Sequence, residues 1–128
     1  MNGAVGDGDK YQEPGNPFGW TQWFFARKTS DFHTPGPSEV WVFSDEHPDS
    51  VDDALMYTSS YAVTSFTELP GSQHGGACGL AFADGHSEIH KWRDSKNVIV
   101  PVTYQRRQNI GVVGSADLSY LSSVTPNH

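Results

Sequence analysis

The clearest pattern along the chain is a pair of alternating runs around one Asp-Gly step. Gly79-Leu80-Ala81-Phe82-Ala83 and His86-Ser87-Glu88-Ile89-His90-Lys91-Trp92 flank Asp84-Gly85. Alternation at period two predicts a strand on each side. Asp-Gly as a two-residue linker predicts a hairpin closed by a type I′ turn, in which both central residues need φ > 0. That turn sets a register: Ala83 opposite His86, Phe82 opposite Ser87, Ala81 opposite Glu88, Leu80 opposite Ile89. One face then carries Leu80, Phe82 and Ile89 and is predicted to be core. The other sets Gly79, Ala81 and Ala83 beside His86, Glu88, His90 and Trp92. Small residues facing large polar ones leave room there for another element or a ligand.

Weaker patterns predict the remaining elements. Glu39 to Ser44 reads as a strand with Val40, Val42 and Ser44 on one face and Trp41 and Phe43 on the other. Apolar residues on both faces predict a central position in a sheet. Ala54 to Phe66, rich in Tyr, Thr, Val and Ser, predicts a strand with a break, and Val98 to Tyr104 a further strand. Trp20 to Lys28 predicts a short helix whose aromatics pack in the core. Residues 1–19 read as irregular, and Thr34-Pro35-Gly36-Pro37-Ser38 as a loop by its turn chemistry. The expected fold is α+β: one domain over residues 1–128, with an antiparallel sheet of four or more strands and little helix.

Composition narrows the function. Eight basic against fifteen acidic residues give a net charge of −7 over 128 residues. That balance argues against nucleic acid and anionic lipid as partners, since both select basic surfaces. It is compatible with divalent cations. No run approaches the ~20 apolar residues of a membrane span, and no leader pattern is present. The chain as given is therefore expected to be soluble, with no export signal. A single cysteine, Cys78, excludes an internal disulfide.

Two stretches concentrate the candidate chemistry. Asp45, Glu46, His47, Asp49, Asp52 and Asp53 follow directly on a predicted strand. Carboxylates gathered in a loop supply the hard oxygen ligands that calcium takes at six to eight positions. The same residues equally suit a solvated loop whose Asp side chains cap turns and a helix. In the second stretch, His74, Asp84 and His86 form a mixed nitrogen and oxygen set that Asp45 or Glu46 could complete, better suited to Zn2+ or Mn2+. The plainer alternative has Asp84 serving the turn and His74 pinning its loop to the hairpin. Ser72 and Cys78 lie in no recognised nucleophile setting, and Cys78 reads as a small buried thiol. Gly71, Gly75 and Gly76 match neither a phosphate loop nor a dinucleotide fingerprint.

These stretches also carry a family resemblance. Val40 to Ala54, VWVFSDEHPDSVDDA, is similar to the strand-plus-DE block of the prepilin-type, processing-associated H-X9-DG proteins, relatives of the major pseudopilin of type II secretion. Leu69 to Asp94 resembles their H-X9-DG block, with His74 and Asp84-Gly85 at its ends. Ser115 to Leu121, SADLSYL, resembles their closing D-L-x-W-L segment, with Tyr120 where Trp is usual. The three blocks occur in the family's order.

The resemblance implies the globular head of a pseudopilin, lacking the N-terminal helix that anchors such proteins and covers one face of the sheet. It implies a cell-envelope or periplasmic setting, other pseudopilin-like subunits as partners where that helix is present, and a calcium ion pinning an Asp-rich loop. Asp117 joins the candidate ligands on that ground, beside Asp45, Glu46, Asp49, Asp84 and His86. The leading expectation is a calcium-binding, non-enzymatic head domain of a secretion or pilus-like assembly. The competing class is a metal-dependent hydrolase. In it His74, Asp84 and Asp45 hold an ion that polarises a carbonyl and activates water. It would open strained esters such as N-acyl homoserine lactones, with quorum quenching as the consequence. A carbohydrate-binding module rests on the aromatic count alone.

Overall fold

The computed structural model describes residues 26, 28–58 and 64–126. The irregular segment expected over 1–19, and nearly all of the helix expected over 20–28, lie outside them. The architecture is α+β. Strands β1 (Trp41–Ser44), β3 (Ala77–Phe82) and β4 (Ser87–Lys91) form an antiparallel sheet in the order β1-β3-β4, while β2 (Ser65–Glu68) and β5 (Gln108–Gly111) form a separate antiparallel pair. Among the described residues one helix, α1 (Ala116–Ser123), closes the order, and one 3-10 turn lies at Thr29–Asp31. Among the described residues no helix is long and apolar enough to cross a membrane.

The strands expected in one sheet of four or more are therefore divided between two sheets, and the further strand expected over 98–104 is missing for a long-range reason. Residues 98–104 contain no strand. Their backbone is engaged elsewhere: the Val100 carbonyl meets His47 Nε2 at 3.1 Å, and the Thr103 and Tyr104 amides donate to the Asp49 carboxylate. Backbone groups held by side chains cannot also form a ladder. Val98 still enters the core, from a turn.

The hairpin forms where the sequence puts it, one residue out of the expected register. Ala81 pairs with Ser87, Leu80 with Glu88 and Gly79 with Ile89. The Gly85 amide donates to the Phe82 carbonyl at 3.0 Å and the Phe82 amide to the His86 carbonyl at 2.9 Å. Gly85 has φ +95°, whereas Asp84 is not left-handed. This is a three-residue loop, a type I turn followed by a left-handed glycine, rather than a type I′ turn. The Phe82 and His86 rings stack across its base at 4.4 Å. A one-residue slip moves a whole strand to the other face. Ile89, expected in the core, is 70 % exposed.

A second irregularity changes β1. The register shifts between Trp41 and Phe43, so Trp41 faces Phe82 while Phe43 faces Ala81. Trp41 is fully buried and Phe43 is 59 % exposed. The bulge parts two aromatics that simple alternation places together, and β1 lies at a sheet edge rather than at the centre.

The core gathers Trp41, Phe66, Leu69, Leu80, Phe82, Trp92, Leu118 and Leu121. Both buried tryptophans have partners for their indole N–H: Trp41 donates to Thr125 Oγ1 at 3.0 Å, and Trp92 to the Gly71 carbonyl at 2.7 Å. Helix α1 starts at the N-cap Ser115, whose hydroxyl accepts the Leu118 amide at 3.3 Å. It lays Leu118 and Leu121 on the core and stacks the Tyr120 ring on His90 at 3.7 Å.

Candidate functional site

The two chemistry-bearing stretches meet at Asp45. Its Oδ2 lies 3.2 Å from His74 Nε2 and accepts the Gly79 amide at 3.1 Å. The backbone brings them together: the Gly71 amide donates to the Asp45 carbonyl at 2.7 Å and the His47 amide to the Leu69 carbonyl at 2.9 Å. The approach requires glycine at 71, because a Cβ there would lie 2.8 Å from Asp45 Cβ. The Asp45–His74 pair is about half exposed.

Asp84 does not join this pair. It serves the turn, where its Oδ1 accepts the His86 amide at 3.1 Å and lies 2.6 Å from His86 Nδ1. These contacts, the amide first, hold the Asp84 carboxyl below the usual aspartate range. Gly79, beside Asp45, is five positions back along β3, on the order of 15 Å at strand rise. His74, Asp84 and Asp45 therefore do not converge on one point.

Asp49 and Asp117 are both buried and both occupied by donors. Asp49 takes the Thr103 amide at 2.8 Å, the Thr103 hydroxyl at 2.7 Å and the Tyr104 amide at 2.7 Å. Burial alone would raise its pKa, but these hydrogen bonds outweigh burial and lower it. Asp117 takes the Arg93 amide at 2.9 Å and the Asp94 amide at 2.8 Å, joining α1 to the segment after β4. His47 is fully buried, with Nε2 on the Val100 carbonyl and Nδ1 accepting the Asp49 amide at 3.2 Å. That pairing corresponds to a neutral ring protonated at Nε2.

Glu46 behaves differently. It bridges to Pro70 in antiparallel fashion, which puts Glu68, two residues before Pro70, on the same face and diagonal to it, within reach of long side chains. Glu46 Oε1 is buried and has no hydrogen-bond partner. Glu68 is 4 % exposed, and its Oε2 accepts the Tyr57 amide. Burial first, then the neighbouring carboxylates Glu68, Asp52 and Asp53, push the Glu46 carboxyl up to about 8. Burial first also raises Glu68, to about 7, against the lowering effect of the Tyr57 amide.

Sequence reading did not select Glu68. The available signal was alternation, since Phe66 and Glu68 are two apart on β2 and share its buried face.

The nucleophile candidates are closed off. Ser72 is buried, and burial pushes the Cys78 thiol up to about 11, an inert state at neutral pH. Among the described residues no three His, Cys, Asp or Glu side chains are grouped so as to hold a metal ion. A cation at Glu46 and Glu68 would therefore have to draw its further ligands from backbone carbonyls and water, both of which calcium accepts.

Comparison with protein-family models, curated proteins and solved structures gives no match to this chain.

Proposed function

We propose that this domain is the calcium-binding globular head of a pseudopilin-like subunit in a type II secretion or pilus-like assembly of the cell envelope. The Asp45 carboxylate carries the reading. It fastens His74, from the H-X9-DG-like block, to the end of the strand that opens the DE-like block. Residues that the resemblance marks together are thus joined in space in a structural tie, and the nearby Cys78 thiol is held inert by burial. A domain whose acids hold loops in place suits a building block better than a catalyst.

The calcium part of the proposal rests on Glu46 and Glu68. Asp49 and Asp117 already have their donors. Glu46 Oε1 is a buried oxygen without one, and a divalent ion there would offset the burial and neighbouring carboxylates that disfavour its ionised form. Calcium fits better than zinc or manganese here, because the set is all oxygen and lacks a converging imidazole.

Thermal melting tests the reading. Calcium at millimolar concentration should raise the Tm above that in chelator, and Glu46→Gln should abolish the rise. Identical melts in both buffers would remove the calcium claim. Opening of short-chain lactones should be absent in either buffer. Turnover that needs calcium and disappears in Asp45→Ala would replace the structural role with the hydrolase.

A further inference from the structure

The free edge of β4 is an unpaired strand edge with a register of its own. The Phe82 amide bonds the His86 carbonyl and the Trp92 amide bonds the Gly76 carbonyl. Antiparallel pairs alternate between bonded and non-bonded. Ser87, Ile89 and Lys91 therefore turn their backbone N–H and C=O groups away from β3, and among the described residues these groups have no hydrogen-bond partner. The side chains of Ser87, Glu88, Ile89 and Lys91 are all exposed. The opposite edge of the sheet is treated differently: the Trp41 amide of β1 donates to the Val124 carbonyl at 3.2 Å. Beside the open edge, Phe43, Ala81 and Ile89 line a shallow groove on the outer face of the sheet.

We propose that this edge pairs antiparallel with the β4 edge of a second copy of the chain, with Ile89 opposite the partner's Ile89. Self-pairing is favoured because the strand is complementary to itself in one register. With the two Ile89 residues opposed, Glu88 faces the partner's His90 and Ser87 faces the partner's Lys91. The five-residue strand then overlaps along its full length. Moving the register one way places Glu88 against Glu88 of the partner subunit. Moving it the other way places His90 against the partner's His90 and shortens the ladder. Like charges directly opposite are destabilising, which disfavours the Glu88 register, and both shifted registers overlap over fewer residues of the strand than the middle one. The product is a six-stranded sheet on a two-fold axis, in which the outer apolar stripe of one copy continues into the next. The inference goes beyond the calcium-binding reading and does not depend on it.

Sedimentation of the whole chain between about 10 µM and about 1 mM tests the pairing, because so short a ladder belongs to the weak class of interfaces. A monomer–dimer equilibrium that is unchanged by chelator is expected. Ile89→Pro removes an outward N–H that β3 does not use, which edge strands tolerate, and should leave monomer only.

Position 87 gives a second readout that requires no refolding, since Ser87 is exposed and makes no side-chain hydrogen bond. Ser87→Glu sets a carboxylate opposite the partner's Lys91 and should tighten the dimer several-fold, even though it adds to a net charge of −7. Ser87→Lys should loosen it by a similar factor. A chain that stays monomeric to the top concentration overturns the proposal. So does a dimer that survives Ile89→Pro, or one that Ser87→Lys tightens and Ser87→Glu loosens, as reduced overall repulsion alone would dictate.

Discussion

Four carboxylates withdrawn from solvent in this fold, Asp49 and Asp117 on one side and Glu46 and Glu68 on the other, have opposite characters. Asp49 and Asp117 are short side chains beside backbone amides that need acceptors, and each receives two of them. Glu46 and Glu68 are longer, lie among other carboxylates, and between them have one amide, that of Tyr57. Asp49 and Glu68 are both buried and shift in opposite directions, so burial alone does not decide the sign. The supply of donors does. It lowers the pKa of Asp49 and leaves Glu46 and Glu68 near 8 and 7. The first pair holds the domain together by accepting backbone amides. The second pair is most stable as neutral acids, or with a cation.

The largest effect should come from removing a satisfied acid. Asp117→Ala strands the Arg93 and Asp94 amides and should cost roughly 3 kcal/mol in denaturant unfolding, because an unmet donor costs more than a bond contributes. A loss below about 0.5 kcal/mol would mean that water replaces the carboxylate there.

The unsatisfied pair should show its character in pH. Glu46 and Glu68 have folded pKa values raised above their unfolded ones. Their stability is fully present below about pH 4.5 and is lost as pH rises through 7 and 8. Asp49 and Asp84 are lowered, so their contribution is present above the ordinary aspartate range and lost as acid protonates them. The Tm in chelator should therefore peak near about pH 5 and decline on both sides.

Glu46→Gln sharpens the comparison further. It should be neutral at pH 4 and stabilising at pH 8 by of order 1 kcal/mol, allowing for the partial exposure of the site. A uniform change at both pH values would show that ionisation of Glu46 does not matter.

The smallest effect belongs to His74. The Asp45–His74 pair is half exposed, and His74→Ala should cost only about 0–1 kcal/mol by equilibrium unfolding.

Much of this was legible in the sequence, and the misses have physical causes. Alternation and Asp84-Gly85 located the hairpin. Its register was not legible, because Asp-Gly fits both a type I′ turn and the last two positions of a three-residue loop, and the two differ by one residue. That difference decided where Ile89 went. The strand expected over 98–104 failed because His47 and Asp49, far away in sequence, take its backbone groups. Phe43 turned outward through a bulge that no side-chain pattern announces. The acid-rich loop and Asp117 were found, but which acids would be satisfied depended on amides from 103–104 for Asp49 and 93–94 for Asp117, which local reading does not bring near. Glu68 was hidden by its type: a glutamate at a strand end reads as solvated until the Tyr57 amide, eleven positions away, reaches it.

The tie between β1 and the segment after α1 has a consequence for how the chain is made. Trp41 bonds Val124 through its amide and Thr125 through its indole, 84 positions away in the latter case. Until that distant segment arrives, β1 exposes a bare edge and a large aromatic. On a ribosome, synthesis runs at about 5–20 residues per second, so this exposure lasts for several seconds after Trp41 emerges. The first strand of the sheet thus waits on nearly the last residues described, and contacts so far apart in sequence form slowly. During synthesis this edge is where a chaperone would be needed most, and where a stalled chain would first stick to its neighbours.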